Sequence, residues 1–326
     1  MKAIVITRYG SKDALKLMDI EKPVPKDDEV LIKVYAASIN DWDWGLMRGK
    51  PFVIRLISGL LKPSVTIPGV DIAGQVESVG AKVANFSPGD EVFGDISESG
   101  FGGFAEYVCV KEKAIALKPS TMPFIEAAAI PHASILAIQG LRDIGKIQAG
   151  QKLLINGGGG GVGTFGVQLA KLFGHMEVTG VDSAEKLDMM DQTGFDHVID
   201  YKREDFTKSG KTYDLILDAK TNRSPFAYAR VLNPGGVYVT VGGSMARIFQ
   251  ISILGPWISL ICKKKIRLVL LKANKDIEYI KELYQSGKLK PVIDGPYKFS
   301  EVPEIIEYFG KANHKGKVVV TMEDSL

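Results

Sequence analysis

Five glycines in a row, Gly157 to Gly161, followed by Val162 and Gly163, make the most chemically suggestive stretch of this chain. A glycine run can be a slack linker. It can also be a loop whose backbone approaches a ligand, because glycine reaches positive φ and carries no Cβ. Read as Gly158-x-Gly160-x-x-Gly163, the run has the spacing that cradles a pyrophosphate. Gly158 would make the turn, Gly160 would let backbone approach the phosphates, and Gly163 would let a helix pack on the preceding strand. Gly161 and Val162 would open that helix, whose free N–H groups and positive dipole end face the anion. Asp182 lies 19 residues past Gly163, where a carboxylate can grip the ribose diol of NAD and repel a 2′-phosphate.

The neighbours decide between linker and cradle. QKLLIN (151–156) is a short apolar run suited to a buried strand. In VGTFGVQLAKLFG (162–174), Val162, Phe165, Gly166, Leu169, Leu172 and Phe173 recur at helical spacing, and Gly174 is a plausible stop. Strand, glycine loop, helix and acid follow in that order, which predicts the cradle. MEVTGVD, DHVID, YDLILDA, GGVYVTVGG and IRLVLLKA read as further strands, with SAEKLDMMDQTG and SPFAYARVLNPGG as helical stretches between them. That alternation predicts a doubly wound parallel sheet with its ligand over the carboxyl ends of the strands.

Residues 1–120 have another texture. DEVLIKVYAASIN, DIAGQVESVG and AEYVCV are short strand candidates separated by KPVPKDD and SPGDEV, which predicts an antiparallel β-rich domain. The C-terminal KGKVVVTM reads as one more strand returning to it. With 326 residues, 45% of them apolar, the chain is long enough for two cores. A net charge of +3 is too mild to argue for nucleic acid. Two cysteines, Cys109 and Cys262, follow no metal or redox spacing, and with the strand-like opening MKAIVITRYG they favour a reducing, cytoplasmic setting. His175, His197 and His314 follow no ligand spacing and read as surface or strand-edge residues.

Several motifs together resemble the medium-chain dehydrogenase/reductase superfamily, in its zinc-free quinone oxidoreductase (zeta-crystallin-like) branch. They are Gly150-Gln151, Leu154, the glycines 158–161 and 163, Gln168 and Lys171, with SINDWD around Asn40–Asp43, PGVDIAGQVESVG (68–80), FSPGDEVFG (86–94) and GGFAEYV (102–108). Asp41 stands where proline is usual in that branch. The resemblance covers almost the full length and implies an α/β chain. A GroES-like β-rich domain (1–122 and 275–326) would flank a Rossmann doubly wound parallel sheet (123–274), in a homodimer.

In the zinc-dependent relatives Cys, His and Cys hold a catalytic metal. The matching positions here are Asn40, the segment Gly69-Val70-Asp71, and His132. One possible ligand of three cannot hold zinc, which takes three protein ligands plus an open position, so no metal is expected. His132 is expected to be a hydrogen-bonded wall residue. Without a metal an alkoxide has no stabilising partner, whereas a quinone or an α,β-unsaturated carbonyl delocalises the incoming charge. Asn40 is then the candidate catalytic group, its amide donating to the acceptor oxygen, or else it caps a loop. Trp42 and Trp44 could form an aromatic wall, or alternate along a strand for packing.

The resemblance also implies NADPH, with Lys186, Tyr201 and Lys317 at positions that hold the 2′-phosphate, and Gly242 and Asn274 lining the nicotinamide side. Asp182 points instead to NAD, so NAD(P)H is the expected cofactor with the choice open. The expected function is zinc-independent reduction of a hydrophobic quinone or enone. A zinc-free alcohol or aldehyde reductase and a non-catalytic, membrane-associated nucleotide binder are the alternatives. Two apolar segments, 48–66 and 247–265, are left as substrate lids, an oligomer interface or a membrane-surface patch.

Overall fold

Residues 1–174 and 176–322 are described by a computed structural model; His175, named above, lies outside them. The chain begins with an antiparallel pair, β1 (Lys2–Ile6) and β2 (Leu15–Asp19). β3 (Glu29–Ser38) follows, then α1 (Asp41–Arg48), α2 (Phe52–Ser58), β4 (Asp71–Val79), β5 (Glu91–Asp95), β6 (Tyr107–Lys111), β7 (Ala116–Leu117), α3 (Phe124–Ala129) and α4 (Pro131–Ile138). The glycine-rich half supplies β8 (Lys152–Asn156), α5 (Gly161–Leu172), β9 (Glu177–Asp182), α6 (Leu187–Thr193), β10 (His197–Asp200), β11 (Tyr213–Asp218), α7 (Pro225–Arg230), β12 (Leu232–Thr240), α8 (Met245–Cys262) and β13 (Lys265–Leu268). The chain closes with α9 (Ile277–Gln285), β14 (Ile293–Lys298), α10 (Val302–Gly310) and β15 (Lys317–Thr321).

These elements form two units. One comprises the described residues among 1–132, 273–286 and 293–326, the other those among 133–272 and 287–292. In the first, the strand order is β14-β15-β3-β4-β5-β7, with β6 also pairing β3. The pairs are antiparallel except β14–β15, which run parallel. β3 is the axis of this sheet because EVLIKVYAAS is buried along nearly its whole length, which suits a β-branched run with strands on both sides. Its core gathers Ile4, Ile32, Val34, Ile72, Phe104 and Val318. β15 pairs with β3, so the last strand does return to the first domain's sheet.

In the second unit six strands run parallel in the order β10-β9-β8-β11-β12-β13. The doubly wound parallel sheet read from the strand–helix alternation is the observed one. Leu153, Leu154 and Ile155 of β8 are fully buried, as a central strand covered on both faces must be. Gly166 lets α5 sit close: a Cβ there would stand 3.2 Å from Ile155 Cδ1 and 3.3 Å from Leu217 Cδ2.

Two local readings change, at the tryptophans and at His314, and one segment left open takes a definite form. Trp42 and Trp44 lie on helix α1, not on a strand; Trp42 stands 5.9 Å from Phe101, ring to ring. His314 is buried, stacked on Phe309 with ring centroids 4.4 Å apart, rather than at the surface. Segment 247–265 falls mostly in one 18-residue helix, α8, with Pro256 inside it.

Candidate functional site

The glycine loop turns at Gly157 (φ 88°), one residue earlier than the spacing implied. Gly158 is instead the residue on which the helix closes. A Cβ on Gly163 would lie 2.4 Å from Gly157 O and 2.5 Å from Gly158 Cα, both backbone atoms. The third glycine therefore does what the fingerprint demands of it, bringing the first turn of α5 against the loop. Gly160 is the N-cap of α5, and Gly161 and Val162 form its first turn, so the uncapped N–H groups of that helix open over the loop.

Asp182 closes the other side of this corner. It ends β9, and its Oδ2 accepts the Gly159 N–H at 3.0 Å while Oδ1 accepts the Ser183 N–H at 2.9 Å. Lys186 Nζ stands 3.3 Å from Asp182 Oδ1, and both side chains are almost wholly buried. The lysine stem lies across the loop: a Cβ on Gly159 would meet Lys186 Cδ at 2.6 Å. Tyr201 joins them through its backbone N–H, which donates to Asp182 O at 3.1 Å, while its ring is half exposed. Glycine loop, Asp182, Lys186 and Tyr201 are thus one cluster at the carboxyl ends of β8, β9 and β10.

The same edge continues through β11 and β12. Asp218, at the end of β11, is fully buried and accepts from Asn156 Nδ2 (2.8 Å), Tyr238 Oη (2.9 Å), and the N–H groups of Lys220 and Thr221 (2.8 Å each). Burial pushes its carboxyl up, and these donors oppose the shift. Gly242 O accepts from Thr221 Oγ1 at 2.5 Å, which ties the loop after β12 to the loop after β11. Sequence reasoning missed Asp218; the only signal was an acid at the end of an apolar run, as at Asp182.

A second cluster lies inside the β-rich unit. Asn40 is the N-cap of α1, and its N–H donates to Asp43 Oδ2 at 2.7 Å. Asp43 Oδ1 accepts the Gly69 N–H, also at 2.7 Å. Asp43 is fully buried, and desolvation raises it to about 7 against those two hydrogen bonds. Asp71 takes Ser38 Oγ (2.9 Å), Asn40 Nδ2 (3.1 Å) and Lys317 Nζ (3.0 Å) on Oδ2, and the His132 N–H (2.9 Å) on Oδ1. Lys317 Nζ also reaches Asn40 Oδ1 at 2.7 Å. His132 Nδ1 pairs with Asp95 Oδ2 at 2.7 Å, so it is hydrogen-bonded as the sequence reading has it. Burial alone would lower His132, but the Asp95 hydrogen bond and charge hold it above the ordinary imidazole value. Asp95 is likewise pushed up by burial and pulled below the usual carboxylate range by His132.

Two residues assigned to the cofactor belong to this unit and are differently engaged. Lys317, read as a 2′-phosphate ligand, has a side chain only 4% exposed, with its ammonium committed to Asp71 and Asn40. Asn274, read as lining the nicotinamide side, clamps a loop instead. Its Oδ1 accepts the Asp95 N–H at 2.9 Å, and its Nδ2 donates to Asp95 O (2.7 Å) and Ala114 O (3.1 Å). Asn40, read as the donor to the acceptor oxygen, spends its amide on Asp71 and, more weakly, on Ser38 O at 3.4 Å.

The donor set here does not fit zinc. Both Asp71 oxygens already accept hydrogen bonds, Asn40 Oδ1 accepts from Lys317, and His132 Nδ1 faces Asp95. A buried ammonium supplies the positive charge among them, where a metal would need free lone pairs from three ligands. Among the described residues, no group of three or more His, Cys, Asp and Glu side chains is placed to hold a metal ion.

A GroES-like antiparallel sheet and a parallel dinucleotide-type sheet with a glycine cradle define a class of two-domain oxidoreductases. Comparisons with known proteins agree. Residues 26–120 match the alcohol dehydrogenase GroES-like domain, and residues 193–320 match the zinc-binding dehydrogenase family. The chain is 36% identical to a 2-methylene-furan-3-one reductase of Solanum lycopersicum, over 98% of this chain and 79% of that one. It is 35% identical to an NADPH-dependent alkenal/one oxidoreductase, chloroplastic, of Arabidopsis thaliana, over the same shares. The solved structure of the quinone oxidoreductase from Coxiella burnetii superposes with a TM-score of 0.86 at 27% identity, covering 99% of both chains. The chain belongs to the medium-chain dehydrogenase/reductase superfamily and is an oxidoreductase that uses a nicotinamide dinucleotide.

Proposed function

We propose that the chain reduces a quinone or the carbon–carbon double bond of an α,β-unsaturated carbonyl, without a metal, using either NADH or NADPH. The observation that carries this reading is the buried cluster of Asn40, Asp71 and His132, at the positions matching the metal site of the zinc-dependent relatives, with the Lys317 ammonium held against Asn40 and Asp71. A secondary alcohol needs its developing alkoxide stabilised by a strong electrophile. A quinone or enone spreads that charge into a phenolate or enolate, and a single hydrogen-bond donor suffices. The names of the relatives, a 2-methylene-furan-3-one reductase, an alkenal/one oxidoreductase and a quinone oxidoreductase, support the same class.

The bound dinucleotide supplies the hydride. Gly157 to Gly163 and the N-terminus of α5 hold its pyrophosphate. Lys186 neutralises Asp182, so that the carboxylate can take a ribose diol without expelling a 2′-phosphate; Tyr201 lines the same corner. Asn40 remains the donor to the acceptor oxygen, trading its long 3.4 Å contact with Ser38 O for the substrate, and water returns the proton. A small hydrophobic acceptor, a homodimer and a cytoplasmic location complete the reading.

The test is oxidation of NADH and NADPH by purified protein against a panel of quinones, alkenals and simple ketones, with and without a chelator. Turnover on quinones or alkenals that survives the chelator is the expected result. Turnover confined to alcohols and ketones would replace this reading with an alcohol or aldehyde reductase. Tight dinucleotide binding with no consumption would replace it with a non-catalytic role.

A further inference from the structure

Between Asp218 and Asp276 the chain carries ten lysines and arginines and no Asp or Glu. The whole chain has a net charge of only +3, so the rest of it is net acidic and the positive charge is concentrated here. Inside this stretch lies α8, 18 residues and about 27 Å long. One side of it is embedded. Ile251 and Ile258 are buried in the core of the parallel-sheet unit, and Gly255 allows close contact, since a Cβ there would stand 3.1 Å from Ile266 Cγ2 on β13. The opposite side is apolar and open. Phe249, Ile253, Trp257, Leu260 and Ile261 recur every three to four residues, and the last three are 64, 78 and 75% exposed. Lys263, Lys264 and Lys265 end the helix. Lys264 bonds back to Ala229 O at 2.6 Å, while Lys263 and Lys265 are exposed.

We infer that α8 is a membrane-docking helix that lies flat on an anionic lipid bilayer, its open stripe in the acyl boundary and its lysines among the headgroups. A continuous apolar stripe on a helix without acidic residues, closed by lysines, is what such an interface recognises. By length and composition α8 could cross a membrane, but it is held on the sheet unit. Its other side is packed on β13 and α7, and its C-terminus runs into β13, whose Lys265 to Leu268 pair with Val237 to Thr240. A second copy of the chain is a poorer occupant. A two-fold interface through this face would bring together two copies of a stretch that carries ten cations and no acid, with no opposite charge to pair them.

The experiment is co-sedimentation of the full chain with vesicles of phosphatidylcholine alone or mixed with phosphatidylglycerol, read alongside tryptophan fluorescence and light scattering. We expect binding to the mixed vesicles, a blue shift from Trp257, and release at high salt. Lys263→Glu with Lys265→Glu, and separately Leu260→Asp with Ile261→Asp, should each weaken binding about tenfold or more. Both pairs change exposed side chains, and dinucleotide oxidation by the variants reports that they remain folded. Failure of the wild-type chain to bind mixed vesicles overturns the inference, as does equal binding to neutral vesicles or indifference to both variants. A dimer that falls to monomer in the Leu260→Asp, Ile261→Asp variant, with no vesicle binding by the wild type, would assign the stripe to self-association.

Discussion

Lys317 and Asp71 are 246 positions apart in the chain and 3.0 Å apart in the structure, with side chains 4% and 0% exposed. Lys317 opens β15 and Asp71 opens β4, on either side of β3, where Ser38 is paired with both Val319 and Asp71. The ion pair therefore bridges the last strand of the chain to an early one, and Asn40 hydrogen-bonds to both charges, its Nδ2 donating to Asp71 and its Oδ1 accepting from Lys317.

Removing one partner of a buried pair leaves the other charge uncompensated, at a cost of about 3–5 kcal/mol. Lys317→Met should lower unfolding stability by that order in urea, and Lys317→Met with Asp71→Asn should recover much of it. The single variant should bind NADH and NADPH with unchanged relative affinity. A selective loss of NADPH would instead put Lys317 on the 2′-phosphate.

His132 and Asp95 shift in opposite directions, so their pH windows differ. The raised His132 contributes stability that is complete below the ordinary imidazole value near 6.5 and is lost as pH rises through its folded value. The lowered Asp95 contributes above the ordinary carboxylate value near 3.8, and this is lost as pH falls through its folded value. The pair is thus most stabilising between those two limits. Asp95→Asn should cost about 3 kcal/mol at pH 6, measured by denaturant unfolding. It should also drop His132 below the ordinary value by NMR titration, since burial then acts on the ring without its Asp95 partner, while the remaining charges of Asp71 and Lys317 push in opposite directions.

Gly163→Ala places a methyl 2.4–2.5 Å from backbone that cannot step aside. Dinucleotide affinity should fall at least about tenfold, with a stability loss of about 1–3 kcal/mol. Calorimetric titration and thermal unfolding check the two separately. An unaffected affinity would mean that this loop is not the cradle.

Lys186 is the cation nearest the Asp182 carboxylate. Lys186→Ala should shift preference from NADPH toward NADH by about tenfold, because it removes the partner that offsets the acid. Paired titrations with the two dinucleotides read this directly, and an unchanged ratio would move the 2′-phosphate elsewhere.

What the sequence determined by itself was local. The period of VGTFGVQLAKLFG, the apolar runs around it and the glycine spacing sufficed for the α5 cradle and the parallel sheet, because helix and strand periodicity and turn chemistry act over a few residues. Asp182, Lys186 and Tyr201 each stand close to the end of an apolar strand run, and they meet in one corner. The tertiary structure decided what depended on distant pairing. It put the turn at Gly157, because the contact of Gly163 with Gly158 is a matter of helix–loop packing. It moved Trp42 and Trp44 from a strand reading to a helix, where Asn40 and Asp43 set an N-terminus three residues apart. It buried His314, and it enclosed Lys317 and Asn274 in the β-rich unit, with partners 160 to 277 positions away. A lysine in KGKVVV looks the same in sequence whether its ammonium meets a phosphate or Asp71. Only the register of β15 on β3, and of β3 on β4, brings the carboxylate to it.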